Sequence, residues 1–166
     1  MRAKFALHWR RMAVVVALAV VVAMTATTGY LVWNHQQQRD EARARAEYTA
    51  AAKQVAVTLM SVDANDPDGG VNRILDNSVD PFRADFQSAA EDFVNVTKDA
   101  GVTTKATATA AAVKSATEDK AVVLVTATST VTDADGVTEP PRSWRLSVEL
   151  RRDGDRIKMS NVEFMS

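Results

Sequence analysis

Ser143-Trp144-Arg145-Leu146-Ser147-Val148-Glu149-Leu150-Arg151 is the stretch that decides the fold. Trp144, Leu146, Val148 and Leu150 alternate strictly with polar residues. A period of two sends the apolar set to one face of a β-strand and the polar set to the other. Asp153-Gly154 then reads as a tight hairpin turn. A last strand is predicted from Arg156 to Phe164. Ile157 and Met159 share one face of it, whereas Val162 and Phe164 fall out of that phase, so a bulge is predicted at Ser160-Asn161.

Upstream, Glu139-Pro140-Pro141 forms a rigid lead into this strand, and Asp133-Ala134-Asp135-Gly136 forms a turn. Ala121 to Val131 is a strand with Val122-Val123-Leu124-Val125 at its centre, partly buried on both faces. Val102 to Ser115 is rich in Thr and Ala. There Ala106, Ala108 and Ala110 alternate with Lys105, Thr107 and Thr109, an alanine face that a helix could approach closely. Four successive strands separated by turns make an antiparallel meander.

The helices come first. Asn34 to Val62 contains neither Gly nor Pro and is rich in good helix formers. Its Ala44, Tyr48, Ala52, Val55, Leu59 and Val62 fall on one helical face. Asp63 to Gly70 ends it with a turn and a new N-cap, and Val71 to Asn77 is a short helical turn. Asp80 is predicted to cap a further helix with Pro81 in its first position. That helix carries Phe82, Phe86, Ala89, Ala90 and Phe93 on one face, and Gly101 stops it. Helices followed by a meander predict an α+β domain, with two to three helices packed on a four-stranded antiparallel sheet.

The chain opens differently. Met12 to Trp33 carries no charge over 22 residues, enough for a helix to cross a bilayer. Residues 1–11 hold Arg2, Lys4, Arg10 and Arg11 and no acid, which leaves the remainder of the chain with a net charge of −5. Basic flanks stay cytoplasmic. Ala26-Thr27-Thr28 is a poor cleavage site, so an uncleaved anchor in the inner (plasma) membrane is expected. The predicted organisation is a cytoplasmic stub at 1–11, a transmembrane helix at 12–33, a juxtamembrane helix at 34–62 and an extracytoplasmic domain at 63–166 that shares that helix. Ala23, Ala26, Thr27, Thr28 and Gly29 are small or hydroxylated, the residue types that let helices meet in lipid. With Tyr30 and Trp33 in an outer aromatic belt, and Tyr48 on the juxtamembrane stripe, they are the predicted contacts to membrane lipid and to partner helices.

The composition excludes several chemistries. The chain has no cysteine, and its two histidines, His8 and His35, flank the apolar stretch. The body beyond them can hold neither a Ser-His-Asp triad nor a thiolate or histidine metal site. Its acidic balance disfavours nucleic acid. Asp63 to Asp68 fails as a calcium loop, because Pro67, Asp68 and Ile74 occupy ligand, glycine and glutamate positions. Asp92, Glu149 and Glu163 are the nearest candidates for paired carboxylates, and Glu149 alternates onto the polar side of its strand. No catalytic residue, metal, cofactor or small-molecule substrate of its own is expected.

The order of these segments resembles the Mce-associated membrane proteins of mycobacteria and related actinobacteria. The juxtamembrane helix with its Asp63-to-Asp68 exit carries the match. So do Asn72-Arg73-Ile74-Leu75, Phe82-Arg83-Ala84-Asp85-Phe86 and the closing hairpin Arg145–Leu150, Arg151-Arg152-Asp153-Gly154 and final strand. The sequence departs from that pattern at Val79-Asp80-Pro81, where a glycine is frequent, and at Asp155-Arg156-Ile157, where an aromatic is frequent. The resemblance implies a nuclear-transport-factor-like cone, a fold shared with inner-membrane assembly subunits of type IV secretion. It also implies a non-enzymatic accessory subunit of an Mce-type lipid importer, whose partners would be the permease and Mce proteins. The alternatives are a free-standing, membrane-anchored lipid-binding cone and an assembly scaffold of a type IV-like secretion system.

Overall fold

A computed structural model describes residues 39–165. The apolar stretch Met12–Trp33 lies outside them, and with it Ala23, Ala26, Thr27, Thr28, Gly29, Tyr30 and Trp33. The chain divides into two units, Met1–Arg43 and Ala44–Ser166. Of the first, residues 39–43 are described and are helical. Among the described residues no helix is long and apolar enough to cross a membrane.

Helix α1 covers residues 39–60. It is followed by α2 (Pro67–Asp76), α3 (Phe82–Ser88), α4 (Ala90–Ala100) and strands β1 (Thr103–Ala116), β2 (Lys120–Thr132), β3 (Arg142–Asp153) and β4 (Arg156–Met165). The strands form one antiparallel sheet in the order β1-β2-β3-β4, the predicted meander. Its inner face brings Val123, Val125, Leu146, Val148, Leu150 and Met159 against Tyr48, Ala52, Val55 and Ala56 of α1, and all ten are buried. The striped face of the helix therefore packs on its own sheet.

The predicted bulge is present. Glu149 pairs with Asn161 and Leu150 with Met159, so Ser160 is the extra residue, and Val162 and Phe164 return to the inner face after it. A second shift, between Ala108 and Ala110, was not expected. Strict alternation would put Ala110 on the inner face with Ala106 and Ala108. The bulge turns Ala110 outward, and Ala111 and Val113 take the inner positions instead. The β3–β4 loop is Gly154-Asp155, one residue later than expected. Gly154 has φ 60° and Asp155 is not in the left-handed region, as in a loop with glycine first.

Four differences concern the helices. First, α1 ends at residue 60, so that Val62 can exchange two backbone hydrogen bonds with Thr104 (2.9 and 2.7 Å) and cover the start of edge strand β1. Second, α2 begins at Pro67 rather than Val71. Asp66 caps it by accepting a hydrogen bond from the Gly69 N–H at 3.0 Å, and proline in the first turn lacks only a donor that would be unpaired there. Third, Asp80 is no cap. Pro81 precedes α3 after a cis peptide bond, with no side-chain cap.

Finally, the predicted single helix beyond Pro81 is two, broken at Ala89. The Ser88 hydroxyl donates back to the Asp85 carbonyl at 2.7 Å, a bond that competes with the helical ladder. In a continuous helix Phe86 and Phe93 would stand about 10 Å apart along the axis. The break lets their rings meet edge-on at 5.6 Å, with Phe82 stacked on Phe86 at 5.8 Å. Four helical segments therefore stand where two to three were expected.

Candidate interaction surface

Tyr48, expected at a partner contact, is fully buried in the core of its own body. Its hydroxyl donates to the Glu118 carbonyl at 2.9 Å, and the Arg152 guanidinium lies 5.8 Å from the centre of its ring. Arg152 in turn donates to Glu47 at 3.1 Å. That bond holds the Arg152 guanidinium further toward its charged form. The cluster fastens Glu47 and Tyr48 of α1 to the β1–β2 turn and to the end of β3.

Val96, Val137 and Met165 are exposed singly, whereas two exposed aromatics come together on the inner face of the sheet. There Trp144 pairs in register with Ala127, and Phe164 with Leu146, which places the two rings diagonally on one face. They meet edge-on at 5.9 Å. Trp144 is 37% exposed and Phe164 56%. The indole N–H donates to the Ser129 hydroxyl at 2.8 Å, and Ser129 itself is buried. The polar end of the indole is thus satisfied internally while its ring stays open to contact. Rigid aromatics of this kind anchor protein interfaces at small entropic cost. Strand alternation puts Trp144 on the inward face. It could not show that the helices stop short of it.

Glu149 and Glu163 come to diagonal positions on the outer face, where Glu149 faces Asn161 and Glu163 faces Ser147. Asp92 lies apart from them, in the first turn of α4. Among the described residues no group of three or more His, Cys, Asp or Glu side chains could hold a metal ion. Two open depressions, of about 250 and 300 Å³, lie at the Lys120–Arg151 end of the sheet and between the end of α1 and β1. Both sit at or below the small end of ligand-pocket volumes, roughly 300–1,000 Å³. Two carboxyls are shifted. The backbone and side-chain N–H groups of Asn65 lower Asp63, and Lys158 lowers Asp153. Both are local surface pairs rather than a poised acid and base.

Solved structures share this architecture. An IcmL-like type IV secretion system protein from Legionella pneumophila matches with a TM-score of 0.61 and 8% identity, over 73% of this chain and 91% of that one. The periplasmic domain of DotI matches with a TM-score of 0.59 and 13% identity, over 71% and 92%. At such identities the likeness is one of fold, and it is the kinship with type IV secretion proteins that the resemblance implied. A protein of Mycobacterium tuberculosis, "Uncharacterized protein Rv1363c", is 40% identical over 153 residues, covering 92% of this chain. The chain spans 59% of that relative's length. The family model described as "Uncharacterized protein Rv1363c/MT1408-like" matches residues 10–166, and the chain belongs to that family.

Proposed function

We propose that this chain is a non-enzymatic assembly subunit of a multiprotein complex in the cell envelope, anchored by Met12–Trp33 and docking a partner protein through its body. The observation that carries the reading is the Trp144–Phe164 pair, fixed from behind by Ser129 and open in front. The fold supports it by analogy, since the neighbours are described as type IV secretion system proteins and periplasmic domains. The complex could be a secretion-type machine, which the fold kinship favours. The sequence resemblance to Mce-associated proteins favours a lipid importer, and the two machines differ in the subunits they would bring along.

Tagging the full chain at its N-terminus, away from Phe164, and solubilising native membranes in mild detergent tests this. Secretion-type subunits in fixed ratio are the expected companions. A permease, an ATPase and Mce proteins would assign the subunit to a lipid importer instead. Phe164→Ala, at a half-exposed position, should release the partner and lower stability only by about 1 kcal/mol, the scale of the lost ring contact. Isolation of the protein alone would overturn the assembly reading.

A further inference from the structure

We propose that the outer face of the sheet, where Lys120 and Arg151 stand opposite each other, binds a phosphate group that carries a primary ammonium, the phosphoethanolamine class of headgroup. Lys120 and Arg151 are direct cross-strand partners. Like charges in that position repel. Neither side chain has a hydrogen-bond or ion-pair partner among the described residues. The next residue in the same lateral row, Lys158, faces Arg151 but is neutralised by Asp153 at 2.6 Å. The sheet thus leaves one pair of cations uncompensated beside a neutralised third.

That pair borders the depression of about 250 Å³, lined also by Ser115, Val122, Glu149 and Ser160. The position of Lys120 is fixed by its turn. Its carbonyl accepts from the Thr117 N–H at 2.7 Å, and its own N–H donates to the Thr117 hydroxyl at 3.2 Å. A guanidinium beside an ammonium suits phosphate, the first as a fork and the second as a point charge. Glu149 sets the rest of the specificity. It lies two residues from Arg151 on the same face of β3, about 6.6 Å along the strand, and its carboxylate has no hydrogen-bond or ion-pair partner among the described residues. A carboxylate there opposes a simple anion and welcomes an ammonium. Val122, directly opposite Glu149 and two residues from Lys120 on β2, offers an apolar surface to the short carbon bridge that joins the two charges. Two cations and one carboxylate beside an apolar surface complement a zwitterion.

Such a group could come from a soluble phosphoamine or from a membrane lipid. Tyr48–Glu118 and Glu47–Arg152 lie at this same end of the sheet. The lipid source rests on the reading of Met12–Trp33 as a span, whereas the soluble source does not.

The test is a calorimetric titration of the full chain in nonionic detergent with phosphoethanolamine, inorganic phosphate and ethanolamine separately. Phosphoethanolamine should bind saturably and more tightly than either fragment. Lys120→Gln with Arg151→Gln should weaken it by about tenfold or more, the scale of a lost charge-assisted hydrogen bond. Glu149→Gln should reduce phosphoethanolamine binding and spare phosphate. All three substitutions are exposed and should leave the melting temperature unchanged. No saturable binding, equal affinity for phosphate, or wild-type affinity in the double variant would overturn the assignment. In native mass spectrometry, phosphatidylethanolamine retained by the wild type and lost from the double variant makes the ligand a lipid. Its absence from the wild type overturns the lipid source. Partner capture is read separately, so this site and the assembly reading fail independently.

Discussion

The Tyr48 hydroxyl donates a 2.9 Å hydrogen bond to the Glu118 carbonyl, joining α1 to the β1–β2 turn across 70 positions of sequence. The ring below that hydroxyl is fully buried, so one side chain supplies both packing and a polar tie. Tyr48→Phe keeps the ring and removes the donor. It should cost about 0.5–1.5 kcal/mol, the net worth of one hydrogen bond whose acceptor sits on the exposed Glu118. Tyr48→Ala also empties the core and should cost about 3–5 kcal/mol. Urea denaturation of both variants checks the order. Wild-type stability in Tyr48→Phe would show that the hydroxyl contributes nothing, and equal losses in the two variants would show the same of the ring.

At the start of α2 one interaction depends on two residues. A methyl group on Gly69 would collide with Asp66 Oδ2, part of the carboxylate that caps the helix. Gly69→Ala must therefore push the cap away even though alanine favours helix. Asp66→Ala removes the cap directly, at about 0.5–2 kcal/mol. Both substitutions delete the same hydrogen bond, so their effects should fall well short of additive in a double-mutant cycle. Full additivity by thermal melting would mean that Gly69 matters for another reason.

The parts of the fold legible in the sequence are those fixed by local pattern. Trp144 to Leu150 alternate because a half-buried strand must, and the phase break before Val162 reveals the bulge because one extra residue inverts every side chain after it. The Ala108–Ala110 shift was hidden, since a run of small residues looks alike in either phase. The break at Ala89 was hidden too. It rests on a serine hydroxyl and on the meeting of Phe86 with Phe93, and neither interrupts a helical pattern. Tyr48 lies on a stripe that can face a partner or its own sheet, and the helical period alone does not say which of the two covers it. The Lys120–Arg151 pair depends on register between strands, and the spacing of either residue along the chain does not contain it.

Acid should loosen the β3–β4 hairpin. Lys158 holds the Asp153 carboxyl below its ordinary 3.8 by a hydrogen bond and by its charge. A carboxyl depressed by folding contributes stability that is complete above its unfolded value and is lost as pH falls through its folded value. The loss therefore begins near pH 3.8 and continues below it. Asp153→Asn should flatten that part of the stability curve by giving up the same small increment at neutral pH, where the pair is screened by solvent and salt, so that variant and wild type converge in acid. Chemical denaturation across the acid range reads it. An unaltered acid limb in the variant would remove Asp153 from the account.

Ser160 offers a test in which deletion is milder than insertion. It is the extra residue opposite the Glu149–Leu150 step, and its hydroxyl donates to the Glu149 carbonyl at 3.3 Å. Without it, Met159, Val162 and Phe164 alternate regularly and all keep the inner face. Deleting Ser160 therefore removes a bend and one long hydrogen bond while the apolar phase survives, at a cost of about 1 kcal/mol. Inserting an alanine after Asn161 leaves the bulge and turns Val162 and Phe164 outward. That variant loses half-buried apolar area and the Trp144–Phe164 contact, about 2–3 kcal/mol together. It should also shift tryptophan fluorescence as Trp144 loses its neighbour. Equal destabilisation of the two variants would show that the bulge itself, rather than the phase it restores, holds β4 in place.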